Sequence, residues 1–269
     1  SRPVYRSVTT PLDTIRHGAK GSGNVAISPD SDGVYRRIPL LFTLGDMTLP
    51  SLVFSYFTGK GSSRTEQGGL VPGGRPLPLV DGKLLLRFPR GKNPFTVIPA
   101  IDILAAYRGA GDAQGIKLSR DFFKGKAVFL GMTAPGLLDL KSTPTMPVST
   151  GVHINATLFE NLRLGTFMRP VAAPLVALSM LLVCLFIVVF VLTFHTILRN
   201  LSAFVASAAA IAGIAAILFS SCYYLPTAYL MVTLVISFIL SVAFSYALEG
   251  RERQFIKRTF SQYMDKTLV

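Results

Sequence analysis

Three long stretches without a charged residue occupy most of the second half of the chain, at residues 171–194, 201–223 and 226–248. Short connections separate them. A helix rises about 1.5 Å per residue, so each stretch is long enough to cross a hydrocarbon layer of roughly 30 Å. A buried helix of a soluble protein rarely reaches this length without charge. The pattern therefore predicts an all-α segment of three transmembrane helices with these bounds, and a lipid bilayer as its partner.

The charges beside these stretches predict their orientation. Arg199 is the one charged residue between positions 171 and 248, and it follows the first stretch. The tail, residues 249–269, carries five Lys+Arg against three Asp+Glu. Because cationic segments stay in the cytoplasm, we expect Arg199 and the tail there, and residues 1–170 on the outer side.

A polar stripe follows the third stretch. Its members are spaced four residues apart: Thr233, Ser237, Ser241 and Ser245. An ion path usually needs ionisable groups within the membrane, and this stretch has none. The stripe therefore favours packing between helices, with an ion path as the alternative.

Strand-like and helix-like patterns alternate in residues 1–170. Strands are expected at residues 24–27, 35–43, 84–88 and 126–130, the last short and buried, and helices at residues 49–57, 98–108 and 152–162. Turn formers fill residues 28–33, and glycine and serine fill residues 62–74, which we expect to be a mobile loop. The pattern predicts an α/β domain, a mixed and partly parallel sheet with flanking helices.

The composition excludes several classes of protein. Half of the residues are hydrophobic and 15% are charged, the reverse of a disordered chain. The net charge is +13, and residues 1–170 hold 21 Lys+Arg against 11 Asp+Glu. These cations are scattered and are not interleaved with aromatic residues, so no nucleic-acid partner is expected.

The cysteines and histidines argue against a metal site in this chain. Cys184 and Cys222 both lie in the apolar segment, so residues 1–170 hold no cysteine that could ligate zinc or form a disulfide. His153 is far from other histidines and is expected to serve in the core or as a helix cap. Asp30 and Asp32 open like a calcium loop, but the later acidic positions are missing.

Three motifs, in this order, resemble the CHASE type-two extracellular sensory domain. They are DSDGVYRRIPL at residues 30–40 with LPSL at 49–52, GKAVFLGMTA at 125–134 with Asp139 and Thr143-Pro144 behind it, and GVHINA at 151–156. Three membrane spans typically follow such domains, and the resemblance covers residues ~20–250. It implies a receptor of the bacterial inner membrane that senses an unknown extracytoplasmic ligand. The family has an anchoring span before the sensor and this sequence shows none, so we expect a fragment of a longer protein.

The tail resembles a second family. RTFSQYMDKTLV at residues 258–269 is similar to the segment that leads into the catalytic domain of class III adenylate and guanylate cyclases. The resemblance implies a homodimer whose output domain, beyond residue 269, uses Mg²⁺ or Mn²⁺ with ATP. None of the metal-binding carboxylates of that domain lies in this chain, so no catalytic residue is assigned. A kinase output and a membrane accessory protein without signalling are the alternatives.

The loop after the predicted strand at residues 126–130 is the first candidate for ligand binding. Ligands of α/β sheets bind beyond the carboxyl ends of strands, where loop N–H groups and a hydroxyl can hold an anion. Gly131 and Thr133 supply these groups, and Asp139 could orient a cationic or hydroxyl group. In the alternative, Gly131 shapes a turn and Asp139 caps a helix.

Arg36 and Arg37 are the second candidate for ligand binding. Neighbours in a strand face opposite sides, so at most one of them is expected to point to a given pocket. The alternative is a structural role, in which one arginine pairs with Asp30 or Asp32 and fixes the turn.

Overall fold

A computed structural model describes residues 3–7, 9–58, 77–89, 94–108, 121–133, 140–194 and 196–264, with side chains as far as residue 248. The loop predicted at residues 62–74 lies outside these ranges. The chain divides into two compact units, Ser1–Met168 and Arg169–Val269, which we call the N-terminal unit and the C-terminal unit.

The N-terminal unit alternates short strands and helices. Its strands are β1 (Val4–Tyr5), β2 (Arg37–Pro39), β3 (Leu41–Leu44), β4 (Met47–Pro50), β5 (Leu79–Val80), β6 (Lys83–Leu85), β7 (Leu140–Lys141) and β8 (Ser149–Thr150). Its helices are α1 (Asp13–Gly18), α2 (Leu52–Thr58), α3 (Ala100–Tyr107) and α4 (Gly151–Leu164).

These strands form mixed sheets. β1 runs parallel to β3, and β3 runs antiparallel to β4. The second sheet has the order β2-β6-β5 and is antiparallel, and β7 pairs with β8. Asp81 and Gly82 join β5 to β6 with φ values of 52° and 76°, the two-residue turn whose twist matches that of a hairpin. Mixed sheets with helices confirm the predicted α/β class.

A hydrophobic core packs the second sheet against α2 and α4. Ile38 and Leu84 come from the sheet, Phe54 from α2, and Ile154 and Leu158 from α4, and all five are almost fully buried. Ile154 and Leu158 lie one turn apart, so α4 covers the core with one face.

The predicted helix at residues 152–162 is confirmed as α4, with one more residue at its start and two at its end. It ends at Gly165, whose φ of +67° lies in the left-handed region. The N–H of Gly165 donates to the carbonyl of Asn161, a helix ending that glycine favours.

The predicted helix at residues 49–57 begins three residues later than expected. Leu49 and Pro50 pair with β3 and belong to β4. Ser51 Oγ accepts the N–H of Phe54 at 3.3 Å, so Ser51 caps α2. The signal for the start of this helix is therefore the serine and not the proline.

The single strand predicted at residues 35–43 is wrong. The chain forms β2 and β3 there, and the two belong to different sheets. Residues 38–42 are all buried, and five consecutive buried residues do not fit a strand with one exposed face. Pro39 has no N–H to donate to a neighbouring strand, and β2 ends there, before Leu40.

The strand predicted at residues 24–27 is also wrong, since it is reduced to one isolated bridge between Asn24 and Ser51. The predicted helix at residues 98–108 is confirmed as α3, but its apolar face is not covered by the described residues. Ile101 and Leu104 are exposed, and none of the residues of α3 is buried.

The short buried strand predicted at residues 126–130 is wrong. Residues 127–133 make no backbone hydrogen bond with any described residue, and Val128 and Leu130 are exposed. Phe129 alone of the three turns inward, with its ring 5.6 Å from that of Phe159. A short apolar run forms a buried strand only where a neighbouring strand offers backbone hydrogen bonds, and no described strand lies beside residues 126–130.

The C-terminal unit is built on three long apolar helices, as predicted. They are α5 (Ala173–Thr193), α6 (Ile197–Ser220) and α7 (Thr227–Met264). The parts long and apolar enough to cross a membrane are Ala173–Thr193, Ile197–Ser220 and Thr227–Leu248. Two short strands, β9 (Arg169–Pro170) and β10 (Tyr223–Tyr224), pair in parallel in the same unit.

One bound in this unit differs from the prediction. α6 begins at Ile197, so Arg199 lies in its first turn and not in a connection, with its guanidinium 5.3 Å from the Phe194 ring. The third span ends at Leu248, close to the predicted bound, and α7 continues beyond it without a break to Met264.

The three helices pack around a small core of their own. Ile187 and Val191 of α5, Ile211 of α6, and Leu230 and Leu234 of α7 form its buried centre. The middle of the polar stripe of α7 is buried inside the unit as well. Ser237 and Ser241 are buried, and the Ser241 hydroxyl donates to the Ser237 carbonyl at 2.6 Å. This burial agrees with the predicted role in helix packing.

Candidate functional site

The first candidate site is the tight turn that precedes β2. The Asp30 N–H donates to the Val34 carbonyl at 2.9 Å, and the Gly33 N–H donates to the Asp30 carbonyl at 3.0 Å. Asp32 Oδ1 accepts the Val34 N–H at 3.1 Å. Gly33 has a φ of +82°, a conformation that glycine adopts without strain. The predicted turn is confirmed, although it does not join two strands into a hairpin.

Both arginines after this turn reach the same carboxylate. Arg36 Nη1 lies 2.8 Å from Asp32 and 3.5 Å from Asp30, and Arg37 Nη1 lies 3.3 Å from Asp30. The expectation that neighbours face opposite sides does not hold, because Arg36 precedes the first residue of β2. The predicted pairing with the aspartates is observed for both arginines.

This pairing moves the titration of both partners. The side-chain hydrogen bond from Arg36, with the N–H of Val34, lowers the pKa of Asp32 to about 2. The same hydrogen bond to Asp32 raises the pKa of Arg36. Both groups are therefore charged at neutral pH and neutralise each other, so an anionic ligand would have to compete with the aspartates for these guanidinium groups.

The turn is also tied to a distant motif. The Tyr35 N–H donates to the Ser142 carbonyl at 2.8 Å, and Val34 forms a parallel bridge with Ser142. The next residue, Thr143, is buried and closes its own turn, with its hydroxyl 3.0 Å from the Met146 carbonyl. The first motif and the Thr143-Pro144 pair are therefore neighbours in space.

The second candidate site lies beside the start of α4. Gly131 is so close to Val152 that a Cβ on the glycine would collide with Val152 Cγ2. Thr133 is exposed, and its hydroxyl makes no hydrogen bond with a described residue. Asp139 and residues 134–136 of the predicted loop lie outside the described residues. Gly131 thus has a packing role that neither interpretation predicted, and binding at Gly131 and Thr133 stays a prediction.

No hydrogen bond or ion pair between described residues joins the two candidates. Arg36 and Arg37 converge on Asp30, whereas Gly131 contacts the first turn of α4. Within the searched part of the chain, no group of three His, Cys, Asp or Glu side chains could hold a metal ion.

His153 lies in the first turn of α4, next to the second candidate. Its ring is 5.0 Å from that of Phe95 in an edge-on contact. Nε2 is buried, and none of the described groups bonds to it. Burial lowers the pKa of His153, so the neutral ring is favoured.

One polar residue that sequence reasoning missed joins α4 to the sheet. Asn161 is buried, its Nδ2 donates to the Arg87 carbonyl at 3.0 Å, and its Oδ1 accepts the Arg87 N–H at 2.7 Å. The amide thus extends the ladder beyond β6 as another strand would. An asparagine near the end of a helix carries no local signal for a partner 74 positions away.

Comparison with known proteins relates the chain to a protein family. The family model described as the CHASE2 domain matches residues 3–194, which comprises the described part of the N-terminal unit and α5. No curated protein and no solved structure matches the chain.

Proposed function

Because the chain belongs to the CHASE2 family, whose domains are extracellular sensors of signalling proteins, we propose that it is the sensory and membrane part of a receptor that controls an adenylate or guanylate cyclase. In this proposal the N-terminal unit responds to an extracytoplasmic ligand. The C-terminal unit carries the response through the membrane to a cyclase domain beyond residue 269.

The continuity of α7 is the observation that supports this proposal best. The helix runs for 38 residues, which corresponds to about 57 Å at the usual rise. Its apolar part, Thr227–Leu248, is long enough to span the membrane, and 16 further residues, 249–264, continue it. The last of these residues, 258–264, begin the segment that is similar to the one leading into the cyclase domain, so a movement of α7 would be carried into that segment.

Orientation and partners belong to the same proposal. Arg199 and the cations of the tail lie in the cytoplasm, and the N-terminal unit lies outside the bacterial inner membrane. The receptor works as a homodimer, because class III catalytic domains act in facing pairs. Mg²⁺ or Mn²⁺ with ATP would bind to the output domain alone.

The proposed ligand contacts are Gly131, Thr133, Asp139, Arg36 and Arg37. The contact of Gly131 with Val152 places the first of these residues beside the start of α4. The exposed hydroxyl of Thr133 could add a hydrogen bond there. The arginines could bind an anion that displaces the Asp30 carboxylate from them.

The test is cyclic-nucleotide production by membranes that carry the full-length parent protein. We expect cAMP or cGMP from the parent with Mg²⁺ or Mn²⁺, and none from the chain that ends at residue 269. Deletion of residues 1–170 should change the rate under at least one condition. A folded parent that makes no cyclic nucleotide would contradict the cyclase output and favour the kinase alternative.

A further inference from the structure

A small parallel ladder ties the first residues of the C-terminal unit to the turn between α6 and α7. The Arg169 N–H donates to the Cys222 carbonyl at 2.8 Å, and the Val171 N–H donates to the Tyr224 carbonyl at 3.0 Å. In register, Arg169 pairs with Tyr223 and Pro170 with Tyr224. We call this ladder, β9 with β10, the clasp.

The backbone of the turn is held in an unusual conformation. Cys222 has a φ of +63°, a region that side chains other than glycine, asparagine and aspartate rarely adopt. Its N–H donates to the Phe219 carbonyl at 3.2 Å, and its carbonyl accepts the Arg169 N–H. Such a conformation persists where the surrounding bonds fix it, and the clasp supplies one of them.

No free residue separates the clasp from the N-terminal unit. Phe167 belongs to the core of that unit, and the Met168 N–H donates to the Leu85 carbonyl at 3.0 Å. The next residue, Arg169, already bonds to Cys222 in the C-terminal unit. Consecutive residues are thus hydrogen-bonded within different units, Met168 in the N-terminal unit and Arg169 in the C-terminal unit.

On its other side, the clasp is close to the output helix. Leu225 and Pro226 alone separate Tyr224 from Thr227, where α7 begins. The Thr227 N–H donates to the Leu225 carbonyl at 2.8 Å, so this short connection is ordered by its own backbone bond. The route from Met168 to α7 through the clasp avoids the whole length of α5 and α6.

We propose that the clasp passes movements of the N-terminal unit directly to the start of α7. α5 and α6 then serve as the frame against which α7 moves, and the clasp is the link that drives it. The proposed function enters only in the choice of α7 as the output helix.

The test compares backbone hydrogen exchange of the full chain in lipid nanodiscs. Asn161→Ala removes the two bonds to Arg87 and loosens the N-terminal unit near Leu85. With an intact clasp, we expect exchange over residues 227–238 to rise by about threefold or more. Val171→Pro removes the N–H that bonds to Tyr224, and in that background Asn161→Ala should leave residues 227–238 unchanged.

Ala172→Pro is the matched control for the proline. Its φ is −58°, which proline accepts, and no described group accepts its N–H. The effect of Asn161→Ala on α7 should therefore survive in this variant. Arg169→Cys with Tyr223→Cys, added to Val171→Pro, should restore the effect when oxidised and lose it with a reductant, because the two positions are ladder partners. Both native cysteines are replaced by alanine in all variants.

Two results would overturn the proposal. One is an equal response of residues 227–238 to Asn161→Ala with and without Val171→Pro. The other is unprotected exchange at Arg169 and Val171 in the unsubstituted chain, which needs no variant to fold. The readout is independent of cyclic nucleotides, so a failure of the cyclase assay leaves this test intact.

Discussion

At the scale of single residues, the Asp30 carboxylate organises the first motif. It is mostly buried and receives both Arg36 and Arg37, while Asp32 holds Arg36 from the solvent side. The residue types of this turn are thus explained by mutual charge pairing. A ligand that binds here would have to break existing ion pairs, because both arginines are already paired with aspartates.

The pairing predicts a specific response to acid. The pKa of Asp32 is lowered to about 2, so its stabilisation is present above the ordinary pKa of about 3.9 and is lost as the pH falls through 2. Asp32→Asn should lower the thermal midpoint of the N-terminal unit at pH 5 and reduce its further fall between pH 4 and pH 2. Circular dichroism of the full chain in detergent measures both.

Asp121→Asn is the control for this experiment, because the Asp121 side chain is exposed and Lys124, at 4.0 Å, is its one ion-pair partner among the described residues. It should behave as the unsubstituted chain at each pH. Equal acid responses of the unsubstituted chain and Asp32→Asn would contradict the prediction.

Burial makes His153 a second residue through which stability depends on pH. Burial lowers the pKa of His153 below its ordinary value of 6.5, so the stability from the neutral ring is complete above pH 6.5 and is lost as the pH falls through the lowered value. Lowering the pH from 7.5 to 5 should therefore lower the thermal midpoint. His153→Phe should weaken this dependence, whereas His17→Phe, at an exposed position, should keep it. The prediction fails if both variants respond to pH as the unsubstituted chain does.

At the scale of elements, substitutions at Gly131 and Val152 test the close contact between the second candidate site and α4. Gly131→Ala should destabilise the N-terminal unit by about 1–3 kcal/mol, because Val152 is β-branched and cannot turn its Cγ2 away freely. Val152→Ala in the same chain should recover much of that loss. Thermal or urea unfolding of the single and double variants measures the coupling.

An additive double variant would contradict the close approach of Gly131 to Val152. Glu160→Ala, on the outer face of α4 with an ion pair to Arg163, is the control. It should change the stability by less than about 0.5 kcal/mol.

The elements that could be predicted from the sequence are the long helices, because their hydrophobic pattern extends over many residues. α4 and the apolar helices repeat their pattern over several turns, and their positions were predicted within a few residues. The strands are two to four residues long, which is too short for alternation to be recognised. Ladders such as Arg169 with Tyr223 depend on chain crossings that no local pattern encodes.

The candidate sites show the same limit. The Asp30 turn and its arginines are close in sequence, so their pairing could be predicted from turn chemistry. The Asn161 contact with Arg87 and the bridge from Val34 to Ser142 join distant positions, and the sequence holds no sign of them. The predicted strand before Gly131 failed because its burial depended on a neighbour and not on its own residues.

At the scale of the whole molecule, the orientation of the membrane helices is open to direct measurement. With the native cysteines replaced, Tyr224→Cys should react with a membrane-impermeant maleimide on intact cells, because the turn before α7 is expected outside. Arg253→Cys should react only after the cells are opened. Ile211→Cys, in the core of the helices, should stay unlabelled in both cases. The reverse pattern would invert the proposed topology.

The length of α7 has a further consequence for anything attached to its end. Successive residues of a helix are rotated by about 100° and advance by about 1.5 Å. An uninterrupted helix therefore fixes both the distance and the rotation between its two ends. One residue inserted after position 248 would rotate the distal part of α7 by more than a quarter turn. Seven inserted residues would bring it back to within about 20° of its original phase. The effect of an insertion on an attached domain should therefore follow the rotation that it produces and not simply the number of inserted residues.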